Sequence, residues 1–264
     1  MSDTPKYTKS TIIAALKDIR SAGWIKSLRN VHNNGAIGNT LEDLLGIKEN
    51  NLPLPNAAEW ELKTQRRGTS ALLTLFHLEP SPRALHIADY LLSNYGWKHK
   101  DAGTKYPESE KSFRQTLSYK NPTARGFFVD IDNANKRVVV KFDPSKIDDE
   151  CIVWKNSLAE NGMIEYDKDY MPYWGFDDLY HKAGVKLGNC FYVSADVKNE
   201  NGEYFYRYSE IMQLSRFSSS KFLSGIRDGN IFIDFDARTS HNHGTKFRIK
   251  QNTIPLLYEN VQHI

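Results

Sequence analysis

The chain has 264 residues, of which 40% are apolar and 25% charged, so its composition is that of a globular protein rather than a disordered, collagenous or membrane protein. The polar N-terminus and the lack of any run of roughly 18 apolar residues predict a cytoplasmic protein, with Cys151 and Cys190 as reduced core residues. A net charge of +3 at pH 7 permits an anionic partner but is too small to identify one.

Two helices are predicted near the start of the chain. Apolar residues recur at helical spacing and are followed by Gly23, which predicts a helix at about residues 9–22. A leucine stripe in TLEDLLGI, with Asn39 or Thr40 available as the N-cap, predicts a second helix at residues 40–47.

The next two predicted elements are strands. Residues 59–66 alternate, so that Glu59, Glu61 and Lys63 point to one face of a strand and the apolar side chains between them point to the other. The apolar run SALLTLFHL, residues 70–78, follows a short turn and predicts the second strand of a hairpin.

The remainder of the chain alternates between helices and strand pairs. Residues 97–125 have little periodicity, which predicts a long loop. Helical patterns occupy residues 83–95, 176–187 and 218–229. Strand pairs are predicted at 127–132 with 137–142, at 189–198 with 203–209, and at 230–238 with 244–250. These elements indicate a mixed α/β or α+β class.

The spacing E-x-E-x-K at Glu59, Glu61 and Lys63, together with Glu42 on the preceding helix, is typical of phosphodiester hydrolysis. A hard cation such as Mg²⁺ takes oxygen ligands and keeps several waters, so carboxylates around it leave room for a phosphate oxygen and an attacking water. A nearby lysine can orient that water or offset charge on the phosphate. The alternative is a solvated strand face with cross-strand charge pairs, which the triplet alone does not exclude.

Longer motifs favour the first interpretation, because together they resemble the MvaI/BcnI restriction endonucleases. The resemblance lies in GAIGNTLEDLLGIKENNLPLPNAAEWELKTQRR at residues 35–67, in SALLTLFHLEP at 70–80 and in SHNHGTKFRI at 240–249. Residues 97–185 match only in their general layout. This family is related to the mismatch-repair nuclease MutH and belongs to the PD-(D/E)xK fold.

The resemblance implies an α/β (α+β) restriction-endonuclease-like fold, with a mixed sheet flanked by helices and two lobes around a DNA-binding cleft. We expect one nuclease unit over residues 1–264, with a catalytic lobe at approximately 1–185 and a DNA-recognition lobe at approximately 186–264.

The resemblance also implies an activity and its partners. We expect a monomeric type II enzyme of a restriction-modification system, which hydrolyses both strands of double-stranded DNA at a short, GC-rich, pseudo-palindromic site with Mg²⁺. No membrane and no small-molecule organic cofactor is expected. The chain has no P-loop, G-x-S-x-G or C-x-x-C motif, so nothing indicates kinase, hydrolase-triad or redox chemistry.

Catalytic residues follow from the same resemblance, position by position. Glu61 corresponds to a metal ligand and Lys63 to the catalytic lysine. Glu42 corresponds to the helix acid that assists the metal site, and the Leu62 carbonyl is expected to add a further ligand.

Asn56 departs from the family pattern, because it occupies the position of the family's metal-bridging aspartate. Asparagine offers an oxygen of similar shape without the charge, so it weakens binding of a hard cation and should lower activity steeply. One explanation is a divergent or inactive homologue in which Glu59 donates an acid from the same strand face. The other is an engineered Asp-to-Asn change that prevents cutting, which we favour because every other catalytic position is intact.

Residues that contact DNA are expected at three places. Arg66 and Arg67 follow the catalytic strand as phosphate ligands, with ordinary surface arginines as the alternative. His77 resembles a family position that contacts the central base pair, with a strand-end histidine bonded to backbone as its alternative. The last group supplies contacts to base edges and phosphates from a terminal loop and strand: His241, His243, Lys246 and Arg248.

Two other functions stay open at this point. The first is a MutH-like strand-nicking repair endonuclease, which would need an activating partner and a methylation-sensitive site. The second is a catalytically inactive DNA-binding homologue, in which Asn56 is the natural residue.

Overall fold

The computed structural model describes residues 7–29, 35–47, 60–82, 87–164 and 171–264, except the side chains of 87–89. Its helices are α1 Lys9–Ser21, α2 Ala36–Leu44, α3 Ile87–Tyr95, α4 Ile152–Glu160, α5 Phe176–Leu187 and α6 Ser219–Arg227. Two short 3-10 helices cover Asp149–Cys151 and Gln251–Leu257. Asn56 and Glu59 lie outside the described residues.

The strands follow the same chain order. They are β1 Ile25–Lys26, β2 Glu61–Arg66, β3 Leu72–His77, β4 Trp97–Lys98, β5 Lys111–Leu117, β6 Arg125–Asp132, β7 Arg137–Ile147, β8 Tyr173–Gly175, β9 Asn189–Glu200, β10 Glu203–Phe217, β11 Ile231–Arg238, β12 His241–Asn242, β13 Lys246–Lys250 and β14 Tyr258–His263. The fold is therefore of the mixed α+β class that the sequence indicates.

The chain divides into two compact units, each built from distant segments. The first unit comprises residues 1–73, 183–221 and 250–264, and the second unit comprises residues 74–182 and 222–249. One boundary lies close to the predicted lobe boundary at residue 185, but the units are interleaved along the chain rather than continuous. The catalytic and DNA-recognition roles given to the lobes stay predictions.

The first unit contains a mixed sheet with one apolar face. Its strand order is β1-β10-β9-β2, with β14 paired to β10, and β2 runs parallel to β9 while the other pairs are antiparallel. Alternate residues of β2 and β9, including Leu62 and Val193, form one cluster with Ile12 and Leu16 of α1 and Leu41 of α2. Both helices thus cover one face, and the other face carries Glu61 and Lys63.

The second unit contains two sheets. The larger has the order β3-β13-β11-β5-β4, with β12 paired to β11, and the smaller has the order β6-β7-β8. Aromatic rings pack against one face of the larger sheet, with Phe113 and Phe235 at a centroid distance of 5.5 Å and Phe76 and Phe247 at 5.0 Å. α3 packs against β5 and β11.

Elements with strong local signals are confirmed. α1 and α5 lie where periodicity places them, and Thr8 forms a capping box with Thr11 at the start of α1. The strand pairs β6 with β7, β9 with β10, and β11 with β13 are antiparallel as predicted. Among the described residues, no helix is both long and apolar enough to cross a bilayer.

The predicted start of the second helix is wrong. α2 begins at Ala36 rather than Thr40, and its N-cap is Gly35, which makes no side-chain capping bond. The stripe that Leu41 belongs to extends back to Ala36 and Ile37, which are buried, so packing on the sheet determines where the helix begins.

The predicted hairpin between residues 59–66 and 70–78 is also wrong. β2 pairs with β9, more than 120 residues away in the sequence, and β3 belongs to the other sheet, next to β13. A sequence pattern does not reveal which distant strand each of these two strands pairs with.

The predicted long loop at residues 97–125 contains β4 and β5 instead. β5 pairs along its length with β11, and its buried residues are Ser112, Phe113 and Leu117. Its exposed face carries Arg114 and Thr116, which interact with aspartates of β11. These polar residues interrupt the apolar alternation, so the strand is not evident from periodicity.

Candidate active site

Glu61 and Lys63 lie on the same face of β2 and contact each other. The Lys63 Nζ atom donates a hydrogen bond to Glu61 Oε1 at 2.9 Å, and only 4% of Glu61 is exposed. The parallel register places Glu61 beside Cys190 and Lys63 beside Tyr192 of β9. The predicted pair of acid and lysine is therefore a buried, charge-compensated pair on the polar face of the first sheet.

The second oxygen of Glu61 distinguishes this pair from an ordinary ion pair. Glu61 Oε2 is buried and accepts no hydrogen bond from any described residue. Leaving a buried carboxylate oxygen without a partner costs several kcal/mol in order of magnitude, unless a further group completes it. A divalent cation with oxygen ligands is such a group, so Glu61 fits the role of a metal ligand.

The backbone of β2 offers a further oxygen next to Glu61. Arg67 donates its backbone N–H to the Ala195 carbonyl at 2.9 Å. Backbone groups of successive strand residues point alternately to the two sides, so the Leu62 carbonyl points away from β9. Within the described residues β2 has no strand partner on that side, which leaves this carbonyl outside the sheet hydrogen bonds.

The remaining predicted metal-site residues are on other segments. Glu42 is half-buried on α2, the helix that packs against β2. Asn56 and Glu59 belong to the undescribed segment before β2. Within the described residues, no group of three or more His, Cys, Asp and Glu side chains could hold a metal ion. The roles of Glu42 and of position 56 at a metal site stay predictions.

Three residues that the sequence reasoning did not assign to the site border the pair. Burial raises the pKa of the Cys190 thiol to about 12, with Lys63 opposing and Glu61 reinforcing the shift. Burial likewise raises the pKa of the Tyr258 phenol well above its usual value, and Cys190 and Glu61 act in the same direction. Burial also raises the pKa of Tyr192. These groups stay protonated at neutral pH and surround the carboxylate without adding charge.

Gln65 continues the polar face beyond Lys63. Its side chain hydrogen-bonds the Ser194 hydroxyl at 3.0 Å and also contacts the Tyr192 hydroxyl. The same Tyr192 hydroxyl donates to the Gln251 carbonyl at 2.9 Å. The alternation of Cys190, Tyr192 and Ser194 in NCFYVSADV marks this face of β9, but the sequence does not show that β9 lies beside β2.

Arg66 and Arg67 are exposed at the end of β2. Arg67 Nε lies 3.8 Å from Asp196 Oδ1, and Arg67 also hydrogen-bonds the Ser209 hydroxyl. An ion pair this long and this exposed contributes little, so the guanidinium stays available to an anion.

The terminal basic residues lie in the second unit, on the solvent face of the β11–β13 pair. Lys246 Nζ lies 3.2 Å from Asp236 Oδ2, and Arg248 Nη1 lies 3.2 Å from Asp234 Oδ2. Arg114 of β5 adds a second cation to Asp236 at 2.8 Å. Hydrogen-bond donors and acceptors therefore alternate across this face. The sequence analysis selected Lys246 and Arg248 as candidates, but it did not select Asp234 and Asp236.

Asp236 is ionised in this network. Burial acts to raise the pKa of its carboxyl, but the hydrogen bond and charge of Lys246 and the charge of Arg114 outweigh burial and lower that pKa. The face therefore presents fixed acceptors next to fixed donors, which is the type of surface that can contact base edges.

The predicted histidines cluster at one edge of the second unit. His241 and His243 are exposed, and their rings are 4.2 Å apart. A side chain added at Gly244 would come within 3.5 Å of the exposed His77. Glu79 holds this loop by accepting the Thr245 N–H at 2.7 Å. The structure thus gathers His77 and the terminal loop at one edge of the second unit, and contact of these residues with DNA stays a prediction.

Comparison with known proteins identifies the family of this chain. Comparison with curated proteins gave no match. The structure is similar to "Restriction endonuclease MvaI-cognate DNA substrate complex", with a TM-score of 0.76 and 25% identity over 97% of this chain and 99% of the other. It is also similar to "Restriction endonuclease MvaI in the absence of DNA", with a TM-score of 0.55 and 27% identity over 100% of both chains. Residues 13–258 match the sequence model of the MvaI/BcnI restriction endonuclease family, and the chain belongs to that family.

Proposed function

We propose that this protein is a Mg²⁺-dependent type II endonuclease, acting as a monomer on double-stranded DNA. The reaction would hydrolyse both strands at a short, GC-rich, pseudo-palindromic site. Family membership supports the reaction class. The observation that carries the proposal is the buried Glu61–Lys63 pair, in which one carboxylate oxygen holds the lysine and the other has no donor among the described residues.

The residues that would hold the ion are Glu61, the Leu62 carbonyl and the residue at position 56, with Glu42 in support. Bound Mg²⁺ would lower the pKa of a water and neutralise charge on the phosphate. Glu61 Oε1 fixes the Lys63 ammonium at 2.9 Å. That ammonium would orient the attacking water or offset charge on the phosphoryl oxygens.

DNA would be contacted from two sets of side chains. His77, His241, His243, Lys246 and Arg248 of the second unit would contact base edges and nearby phosphates, supported by the donor and acceptor plane around Asp234 and Asp236. Arg66 and Arg67 would contact phosphates. One structural neighbour is itself a complex with its DNA substrate.

Asn56 would weaken this activity. An amide oxygen can still approach a cation, but it lacks the charge by which a carboxylate offsets dehydration of Mg²⁺. We therefore propose that the protein binds DNA in this form and cuts it slowly or not at all.

The test is cleavage of plasmid and genomic DNA with Mg²⁺ by the Asn56 form and by Asn56→Asp, with the fragment ends mapped. Discrete fragments from Asn56→Asp, with few or none from the Asn56 form, are expected. If both forms retard duplex DNA and neither cuts it, the nuclease proposal is overturned in favour of a DNA-binding homologue.

The topology of the plasmid product separates the two nucleases. A double-strand endonuclease converts supercoiled plasmid to linear DNA, whereas a MutH-like enzyme stops at the nicked circle and needs a partner to act. Linear product from purified Asn56→Asp protein is expected.

A further inference from the structure

An open cavity of about 500 Å³ lies in the first unit, at the end of the strand that carries Glu61 and Lys63. One wall is the end of β2 with the turn that follows it, and the other is formed by residues 250–252. The volume falls within the roughly 300–1,000 Å³ of ordinary ligand sites. Arg66 and Arg67, proposed above as phosphate contacts, line this cavity, but the cavity itself and Lys250 on its other wall have no role so far.

The lining of the cavity suits an anion. It includes Arg66, Arg67 and Lys250, and its other polar side chains are amides and hydroxyls, with no Asp or Glu. Within the described part of the chain the Arg66 side chain makes no hydrogen bond or ion pair, and the Arg67 side chain has a long, exposed contact with Asp196 and a hydrogen bond to the Ser209 hydroxyl at 3.3 Å. Cationic side chains with neighbouring amides and hydroxyls can donate charge-assisted hydrogen bonds to the oxygens of a phosphate group.

Hydrogen bonds through the buried Tyr192 join the two walls. The Tyr192 hydroxyl contacts both the Gln65 side chain on β2 and the Gln251 carbonyl on the opposite wall. The Gln65 amide nitrogen donates in turn to the Ser194 hydroxyl at 3.0 Å. Hydrogen bonds therefore hold the two walls of the cavity in place relative to each other.

Its distance from the candidate active site limits what it can bind. Arg67 lies four positions after Lys63, and a strand rises about 3.3 Å per residue, so the two Cα atoms are about 13 Å apart. A phosphate held beside Arg67 is therefore a different one from a phosphate held beside Lys63.

We propose that the cavity binds a backbone phosphate of the DNA strand, a few nucleotides from the phosphate that is cut. This inference rests on the proposed nuclease function. The lining offers donors and cations to phosphate oxygens, so the contact fixes the position of the DNA without reading its sequence. Loss of the contact should weaken binding to every duplex by the same factor.

The experiment measures duplex binding as a function of salt concentration, without divalent metal, for the parent protein, Arg67→Gln and Lys250→Gln. Lys17→Gln is the matched control, because Lys17 is an exposed cation of α1, which covers the opposite face of the sheet. Each lost phosphate contact lowers the slope of log K against log salt by about 0.9. We expect that decrease for both cavity variants, on two unrelated duplexes, and no decrease for Lys17→Gln.

The contrary outcomes are distinct from failure of the nuclease proposal. If the parent binds and the Asn56→Asp form cuts, but the cavity variants keep the parent slope, the phosphate cavity is refuted while the nuclease stands. Titration with inorganic phosphate provides a second arm. Saturable phosphate binding that Arg67→Gln abolishes, without a change in DNA slope, would identify a free-anion site and overturn the assignment to DNA. If the parent binds no duplex, both proposals fail.

Discussion

At the scale of single residues, the Glu61 carboxylate is the group that most needs a further binding partner. Its Oε1 atom is occupied by Lys63, and its buried Oε2 atom has no donor there. A structural ion pair would be expected to satisfy both oxygens, because an unpaired buried carboxylate oxygen destabilises the fold. The arrangement is explained if a bound cation completes it.

Cation binding predicts a stabilisation by Mg²⁺ that depends on Glu61. An ion that binds only the folded state at about 100 times its Kd adds about 2.7 kcal/mol to the free energy of unfolding. Thermal unfolding with Mg²⁺ and with EDTA should show a larger gain for Asn56→Asp than for the Asn56 form. The gain should vanish when Glu61→Gln is added to Asn56→Asp. An undiminished gain in the Glu61→Gln protein would exclude Glu61 as a ligand.

At the scale of elements, the sequence predicts those whose signal is local. α5 and the β6–β7 hairpin follow from periodicity and turn residues, and both are confirmed. The β2–β9 pair and β5 could not be predicted, since a parallel pairing is decided by packing between distant segments and β5 has charges on its open face. The start of α2 was missed for the same reason, because burial of Ala36 and Ile37 outweighs the capping preference of Thr40.

The close packing of α2 on β2 gives a prediction for Gly38. A Cβ atom there would lie 3.0 Å from Thr64 Oγ1, whereas one at Gly184 of α5 meets nothing within 4 Å. Gly184→Ala should raise the free energy of unfolding by about 0.5–1 kcal/mol, because glycine is unfavourable within a helix. Gly38→Ala should instead lower it by about 1 kcal/mol through overpacking. Urea unfolding measures both.

A double variant isolates the contact at Gly38. Thr64→Ala removes the hydroxyl that the new methyl group would meet, so Gly38→Ala should become favourable in that background. A Gly38→Ala effect that Thr64→Ala leaves unchanged would show that the contact is not the cause.

Asp132, at the β6–β7 turn, should contribute to the free energy of unfolding in a pH-dependent way. Hydrogen bonds from the Asn135 side chain and backbone, aided by Arg137, lower the pKa of Asp132 from 3.8 to about 2. Because the folded-state pKa is the lower one, the carboxylate stabilises the fold above about pH 4, and this is lost as the pH falls towards 2. Asp132→Ala should lower the free energy of unfolding by about 1 kcal/mol at pH 7 and by little near pH 2, and urea unfolding at the two pH values measures this.

The partner of Asp132 provides the check on that explanation. Asn135→Ala removes the side-chain donor that contributes most, so an NMR titration should find the Asp132 pKa closer to its ordinary value. A cost of Asp132→Ala that is equal at both pH values would contradict the explanation.

At the scale of the whole molecule, the candidate residues of each unit lie on the polar face of a sheet whose other face packs in the core. The motifs were sufficient to select Glu61, Lys63, Lys246 and Arg248 as candidates, because these lie within short, dense patterns. They could not identify partners that come from other strands, such as Tyr192 beside Lys63 or Asp234 beside Arg248. A sequence motif therefore indicates the candidate residues of one segment, whereas their neighbours on adjacent strands become known only from the sheet.

Arg67 belongs to the first unit and Arg248 to the second, and we expect different roles for them. Arg248, held by Asp234 at 3.2 Å, lies on the donor and acceptor plane and should contact a base edge. Arg248→Gln should weaken binding to the cleaved site by about 1–3 kcal/mol, with a smaller effect on unrelated duplexes. Arg67→Gln should weaken both equally. Competition binding with the mapped site and a scrambled duplex, after urea unfolding has verified the fold, measures the ratio. Equal losses for Arg248→Gln on both duplexes would assign it to phosphate contact instead of base recognition.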